Sequence, residues 1–166
     1  MQSPLKSAVR QERTGWRDQS ISARHRIWGF NCPAVDLDFL MVEYNLGLPV
    51  GLVEYKHFRA REPQVLHPTY RALGALADGY KEPLPFVIAF YWPDVWAFQT
   101  LPVNETAQRH FGFRELLTER AFVRRLYRIR RLVLAAHLEE QLNDSMPNEL
   151  FRALLPACRQ PTTQKQ

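Results

Sequence analysis

Two adjoining segments constrain this chain more than any other part of it: Asp36-Leu37-Asp38-Phe39-Leu40-Met41-Val42-Glu43-Tyr44 and Val50-Gly51-Leu52-Val53-Glu54-Tyr55-Lys56. Each is a mainly apolar run with charges at one margin. Read as strands over 35–44 and 48–57, they form a hairpin. Period-two alternation puts Asp36, Asp38, Leu40 and Val42 on one face of the first strand. Asn45-Leu46-Gly47 reads as a three-residue loop with Gly47 in the left-handed position. That loop pairs Tyr44 with Leu48, Val42 with Val50, Leu40 with Leu52, Asp38 with Glu54 and Asp36 with Lys56. Asp38, Glu54 and Lys56 then share one face at one end of the hairpin, and a one-residue slip would separate them. Charges there are costly to desolvate. Phe39–Val42 and Leu52-Val53 have the continuous apolarity of strands covered on both faces, so charges at their margin are expected to face a cleft. The plainer alternative is an exposed Glu-x-Lys ion pair beside an Asp36-x-Asp38 start that solubilises the strand.

Two carboxylates and a lysine so arranged suit metal-assisted phosphodiester hydrolysis. A hard divalent cation takes oxygen ligands, here Asp38, Glu54 and the backbone carbonyl of Tyr55. Such a cation polarises the scissile phosphate and lowers the pKa of a water. The lysine orients that water or neutralises charge developing on the phosphate. The segment resembles the PD-(D/E)xK nuclease superfamily, in which an Asp on one strand precedes a Glu-x-Lys on the next. The motif here is Asp38, with Asp36 as rival or helper, followed by Glu54-Tyr55-Lys56. Trp28-Gly29-Phe30-Asn31-Cys32-Pro33-Ala34-Val35-Asp36 is also similar to phage-type or resolvase-like members, and the resemblance spans roughly 20–92. It implies a restriction-endonuclease-like α/β fold with a mixed sheet flanked by helices. It also implies Mg2+, with Mn2+ as substitute, Asp36, Asp38, Glu54 and Tyr55 as ligands, and Lys56, Glu54 and Asp38 as the catalytic set. Glu12 is a candidate for the acid that many members supply from an upstream helix.

A chain of 166 residues with 46% hydrophobic and 23% charged residues is expected to form one ordinary globular domain. The reading divides it into an arm over 1–17, a nuclease-like domain over 18–155 and a disordered tail over 156–166. The formal net charge of +5 favours a polyanionic partner. Met1 to Lys6 lacks a signal peptide's apolar stretch and no run approaches membrane-spanning length, so a cytoplasmic location off the membrane is expected. Cys32 and Cys158 show no metal-ligand spacing.

Along the chain, Ser20 or Ser22 caps a short helix through Ile27. The apolar spacing of Tyr70, Leu73, Leu76 and Ala77 predicts a helix over 67–79 with Gly79 at its C-terminal cap. Leu84 to Trp92 is the most strand-like run, and a turn at Pro93-Asp94 leads into a further strand over 95–101. Asn104 caps a short helix towards His110.

A long helix from Thr118 to Leu142 is predicted next, with Thr118 as N-cap and Glu119 at the positive end of the helix dipole. Phe122, Leu126, Ile129 and Val133 form its apolar stripe, and Arg120, Arg124, Arg128 and Arg131 lie nearly opposite. A charge run of this kind is usually a solvated face. Arginine concentrated on one side also suits phosphate, because the guanidinium fork matches its geometry.

His57 points to the sheet face opposite Lys56 and reads as structural, and His25 reads as surface. Trp16, Trp28, Trp92 and Trp96 read mainly as packing residues. The leading expectation is a Mg-dependent DNA endonuclease, with structure-selective cleavage as one option and duplex versus branched substrate left open. Its alternatives are a catalytically silent nuclease-fold protein that binds nucleic acid, or a phage-type protein–protein interaction component. Leu150, Phe151, Leu154 and Leu155 leave room for a homodimer.

Overall fold

The computed structural model describes residues 37–146. In them β1 (Phe39–Glu43), β2 (Leu48–His57), β3 (Phe86–Trp92), β4 (Ala97–Pro102) and β5 (Glu115–Leu117) lie side by side in chain order as one sheet. Only β2 and β3 run parallel; the other neighbours are antiparallel. A parallel step needs a crossover, and α1 (Pro68–Asp78) provides it. Three further helices follow: α2 (Glu105–Gln108), α3 (Glu119–Ile129) and α4 (Ala136–Glu139). The architecture is α/β, a mixed sheet with flanking helices. No helix of the described residues is long and apolar enough to cross a membrane.

The two faces of the sheet are covered by different helices. Leu52 and Phe86 pack with Leu73 and Ala77 of α1 and with Leu84, while Tyr70 bridges to Ile88, Phe90 and Leu101. On the opposite face Val53, Val87, Ala89, Phe98 and Leu117 pack with Phe111 and with Phe122 of α3. Phe122 stacks on Phe98, centroids 4.2 Å apart and planes 11° from parallel, an arrangement worth about 0.5–1.5 kcal/mol beyond the area it buries. Trp92 is buried in the sheet, whereas Trp96 turns the β3–β4 corner half-exposed, with a positive φ of 48°.

The hairpin register agrees with the sequence where it matters for the charges and departs from it near the turn. Phe39, Leu40 and Met41 pair with Val53, Leu52 and Gly51. Beyond Met41 the pairing shifts: Val42 meets Pro49 instead of Val50, and Glu43 meets Leu48. Pro49 explains the shift, since it has no N–H to give a regular ladder and proline inside a sheet is accommodated at a bulge. The connection is therefore the four residues Tyr44–Gly47, not three, with Gly47 at φ 63° as the left-handed position requires. The first strand is also shorter than 35–44, beginning at Phe39.

Asn104 and Thr118 cap helices as expected, and His67 is a cap that the sequence did not single out. His67 Nδ1 accepts from Thr69 N–H at the start of α1, and Thr118 Oγ1 accepts from Ala121 N–H at the start of α3. Asn104 Oδ1 accepts from Ala107 N–H and also from Phe86 N–H, both at 3.0 Å. Gly79 is the C-terminal cap of α1, as expected, but in right-handed conformation, with φ −79° and its N–H bonded to Ala75 O.

The single helix from Thr118 to Leu142 is corrected. α3 ends at Ile129 after 11 residues. Leu132 N–H bonds back to Tyr127 O and Arg131 N–H to Arg128 O, with Arg131 left-handed at φ 55°. These are the paired hydrogen bonds of a Schellman stop. Glycine usually marks it, and here an arginine occupies the left-handed position, so sequence patterning carried no stop signal. Val133 consequently lies beyond the helix and is 92% exposed, not part of its apolar stripe. The three-residue strand β5 also went unrecognised in the sequence, being too short to show alternation. The arm over 1–17, the helix near Ser20 and Ser22, Glu12, His25, Cys32, Asp36, Leu150 to Leu155, Cys158 and the tail lie outside the described residues.

Candidate functional site

Leu52, Glu54 and Lys56 alternate along β2 and share the face that α1 covers. Asp38 precedes Phe39, and Phe39 pairs with Val53, so the same register carries Asp38 across from Glu54. On the other side of β2, Glu54 and Lys56 lie level with Ile88 and Phe90 of β3. The acids and the lysine therefore gather where the edge hairpin meets the covered centre of the sheet. Asp38 is exposed, whereas Glu54 is buried at 8% exposure.

Lys56 Nζ lies 2.5 Å from Glu54 Oε1, a charge-assisted bond with the lysine side chain 29% exposed. Burial pushes the Glu54 carboxyl above the ordinary glutamate range; the bond and charge of Lys56 oppose this, and the charge and side-chain hydrogen bond of Asp38 add to it. Burial works against the charge on Lys56, yet Glu54, and less strongly Tyr70 and Asp38, hold its pKa above the usual lysine value. One ammonium thus leaves the two carboxylates short of positive charge.

That deficit bears on whether a cation fits. A Mg2+-sized ion is commonly held by one or two carboxylates with water and substrate phosphate completing its shell. Asp38 and Glu54 match this donor set. The described residues contain no group of three or more His, Cys, Asp and Glu side chains arranged to hold a metal. Tyr55 sends its ring to the other face, edge-on to Phe39, Phe98 and Phe122, where burial pushes its phenol up to about 12. Its ring is therefore neutral packing, and only its backbone is on offer to the site.

Tyr70 is a neighbour that sequence reasoning assigned only to the core. It is the helix residue whose charge state is felt at Lys56, and its one sequence signal was its place on the apolar side of α1. His57 behaves as a structural residue: its Nδ1 accepts from Arg59 N–H and its ring packs on Phe58 and Tyr91.

The nominated arginines lie elsewhere. α3 packs on the Val53 face, so Arg120, Arg124 and Arg128 stand across the sheet from Asp38 and Glu54. Most arginines of this segment already hold a carboxylate. Arg120 pairs with Asp144, Arg124 with Glu139 and Arg131 with Glu82. Arg125 grips Glu115, Arg130 reaches Glu43 of β1, and Arg114 meets Glu62. Arg128 is exposed and has no carboxylate partner among the described residues.

Compared with known proteins, the chain matches no family model, no curated protein and no solved structure.

Proposed function

We propose that this protein is a metal-dependent nuclease of the PD-(D/E)xK type acting on DNA. One observation carries the reading: Asp38, which directly precedes the Phe39–Val53 pair, interacts with Glu54, and Lys56 is bonded to Glu54 on the face that α1 covers. The β2–α1–β3 crossover supports it, since a helix–strand unit after the Glu-x-Lys strand is what a restriction-endonuclease-like fold requires. Asp38 and Glu54, with the Tyr55 carbonyl, would hold Mg2+ or Mn2+. When bound, the ion supplies Lewis acidity at the scissile phosphate and a lowered pKa for water. Glu54 keeps the Lys56 ammonium in place, and that ammonium opposes the negative charge that builds on the phosphate in the transition state. Arg128, exposed and with no carboxylate partner among the described residues, can meet a phosphate directly, whereas Arg120, Arg124 and Arg131 do so only by exchanging a carboxylate partner.

The test is cleavage of plasmid and branched DNA by the purified chain with Mg2+ or Mn2+. Nicking that chelator stops, and that Lys56→Ala abolishes while DNA affinity and the folded circular dichroism spectrum remain, is the expected result. A Lys56→Ala protein that cuts as well as the parent overturns the catalytic role of this site. Retained binding with no cleavage by the parent would favour the catalytically silent alternative.

A further inference from the structure

The segment from 109 to 131 contains eight arginines, and their partners divide them. Six hold a carboxylate: Arg114, Arg120, Arg124, Arg125, Arg130 and Arg131. Arg109 and Arg128 do not, among the described residues. They come from different elements, Arg109 from the C-terminal cap of α2 and Arg128 from the last turn of α3. Arg125 Nη1 donates to His110 O at 3.1 Å and so ties the two elements together. Arg128, three residues further along α3, is the next side chain on that side of the helix. Both guanidiniums act electrostatically on His110, whose Nδ1 is buried with no hydrogen-bond partner among the described residues.

We propose that Arg109, His110 and Arg128 form an anion-binding site for a phosphate group, outside the Asp38–Glu54–Lys56 cluster. Among the described residues, the two guanidiniums that act on His110 have no carboxylate and its Nδ1 has no hydrogen-bond partner. Phosphate supplies the charge and the several acceptor oxygens such a set lacks. The groups around His110 are Arg109, Arg125 and Arg128, together with Glu115 of β5. Glu115 cannot neutralise the cluster, because its oxygens are engaged by Arg125 and by Gly112 N–H. Burial, then Arg128 and Arg109, hold the His110 pKa below the usual histidine value. An anion would offset both guanidiniums and favour the imidazolium. Binding therefore takes up a proton, and it tightens as pH falls between the His110 pKa of the bound form and that of the free form.

The test follows the His110 imidazole by NMR while inorganic phosphate or a short DNA duplex is added, its resonance assigned by comparison with His110→Gln. Phosphate is expected to shift the resonance and raise its pKa, and Arg109→Gln/Arg128→Gln is expected to lose both effects; these side chains are exposed, so the variant opens no core cavity. If the phosphate comes from a nucleic-acid backbone, the double variant also lowers the slope of log affinity against log salt by about 0.9 for each phosphate it no longer neutralises. The paired control Arg124→Gln leaves that slope nearly unchanged. If the source is a free or small-molecule phosphate, inorganic phosphate still moves His110 and duplex affinity is the same in parent and double variant. A His110 resonance that neither probe moves overturns the proposal.

Discussion

Lys56 and Glu54, two positions apart on β2, bond on the face of the sheet that α1 covers, with Nζ 2.5 Å from Oε1. The pair joins a largely buried carboxylate to a partly solvated ammonium, and Asp38 adds a second negative charge beside it. The electrostatics of the site therefore depend on three side chains that can be altered one at a time.

Glu54 titrates above the ordinary glutamate range because of burial, with Lys56 opposing and Asp38 reinforcing. Lys56→Ala is expected to raise the Glu54 pKa further and Asp38→Asn to lower it, both read by carboxyl-carbon NMR. The stability sign follows from the raised folded pKa. The protonated group is the favoured one, so its contribution is present below the unfolded value near 4.5 and is lost as pH rises through the folded value. Glu54→Gln should thus raise the melting temperature at pH 7, with the gain disappearing near pH 4, while divalent-cation binding weakens. A variant less stable than the parent at pH 7 would contradict the assigned burial cost.

Asn104 uses all of its side-chain hydrogen-bonding capacity. Its Oδ1 accepts from Phe86 and Ala107 N–H, and its Nδ2 donates to Asp78 Oδ1 at 2.7 Å and Leu84 O at 2.8 Å. It therefore joins α1, the start of β3 and the start of α2. Asn104→Ala loses the cap and leaves buried groups unsatisfied, at a cost of about 2–4 kcal/mol. Asn104→Asp should be no better, because its second oxygen would face the Asp78 carboxylate and the Leu84 carbonyl. Chemical denaturation measures both; a loss below about 1 kcal/mol for Asn104→Ala would mean that water replaces these bonds.

Arg124 and Arg125 are neighbours in sequence with different expected importance. Arg124 is half-exposed and pairs with Glu139, the kind of contact worth about 0–1 kcal/mol. Arg125 binds both Glu115 oxygens and the His110 carbonyl. Arg125→Gln should cost about 1–3 kcal/mol, and Arg124→Gln little. The Glu115 pKa is lowered, first by its Arg125 hydrogen bond, so the Arg125 contribution is present above the unfolded carboxyl pKa and is lost as pH falls through the folded one. Equal destabilisation by the two variants at pH 7 would refute this distinction.

Arg131 holds the left-handed position of the α3 stop at φ 55°. Left-handed backbone costs a side-chain-bearing residue about 1–2 kcal/mol, and glycine avoids that strain. The ion pair of Arg131 with Glu82 spans 3.5 Å between two exposed side chains and offers little in return. Arg131→Gly is therefore expected to stabilise by about 0.5–1 kcal/mol in urea unfolding. Destabilisation would mean that the helix runs on past Ile129 in solution.

The sequence by itself determined the local and periodic features. Alternation placed Glu54 and Lys56 on one face of β2, and Leu40 does meet Leu52. Asn104 and Thr118 announced helix starts because a side-chain oxygen before a helix satisfies a free backbone N–H. Pro49 carries the cause of the bulge in its missing N–H, but the regular pairing of Val42 with Val50 expected from alternation and loop length passes over it. Only the tertiary structure decided which helix covers which face. The apolar stripe of α3 says that one side is buried, but not whether it meets Val53 or Leu52. Partner choice among charges was equally non-local: Arg130 meets Glu43, and Arg131 meets Glu82. Such pairs depend on packing between distant segments, and no period along the chain encodes them. The same long-range geometry left Arg109 and Arg128 without carboxylates among the described residues and set α3 across the sheet from the carboxylate–lysine cluster.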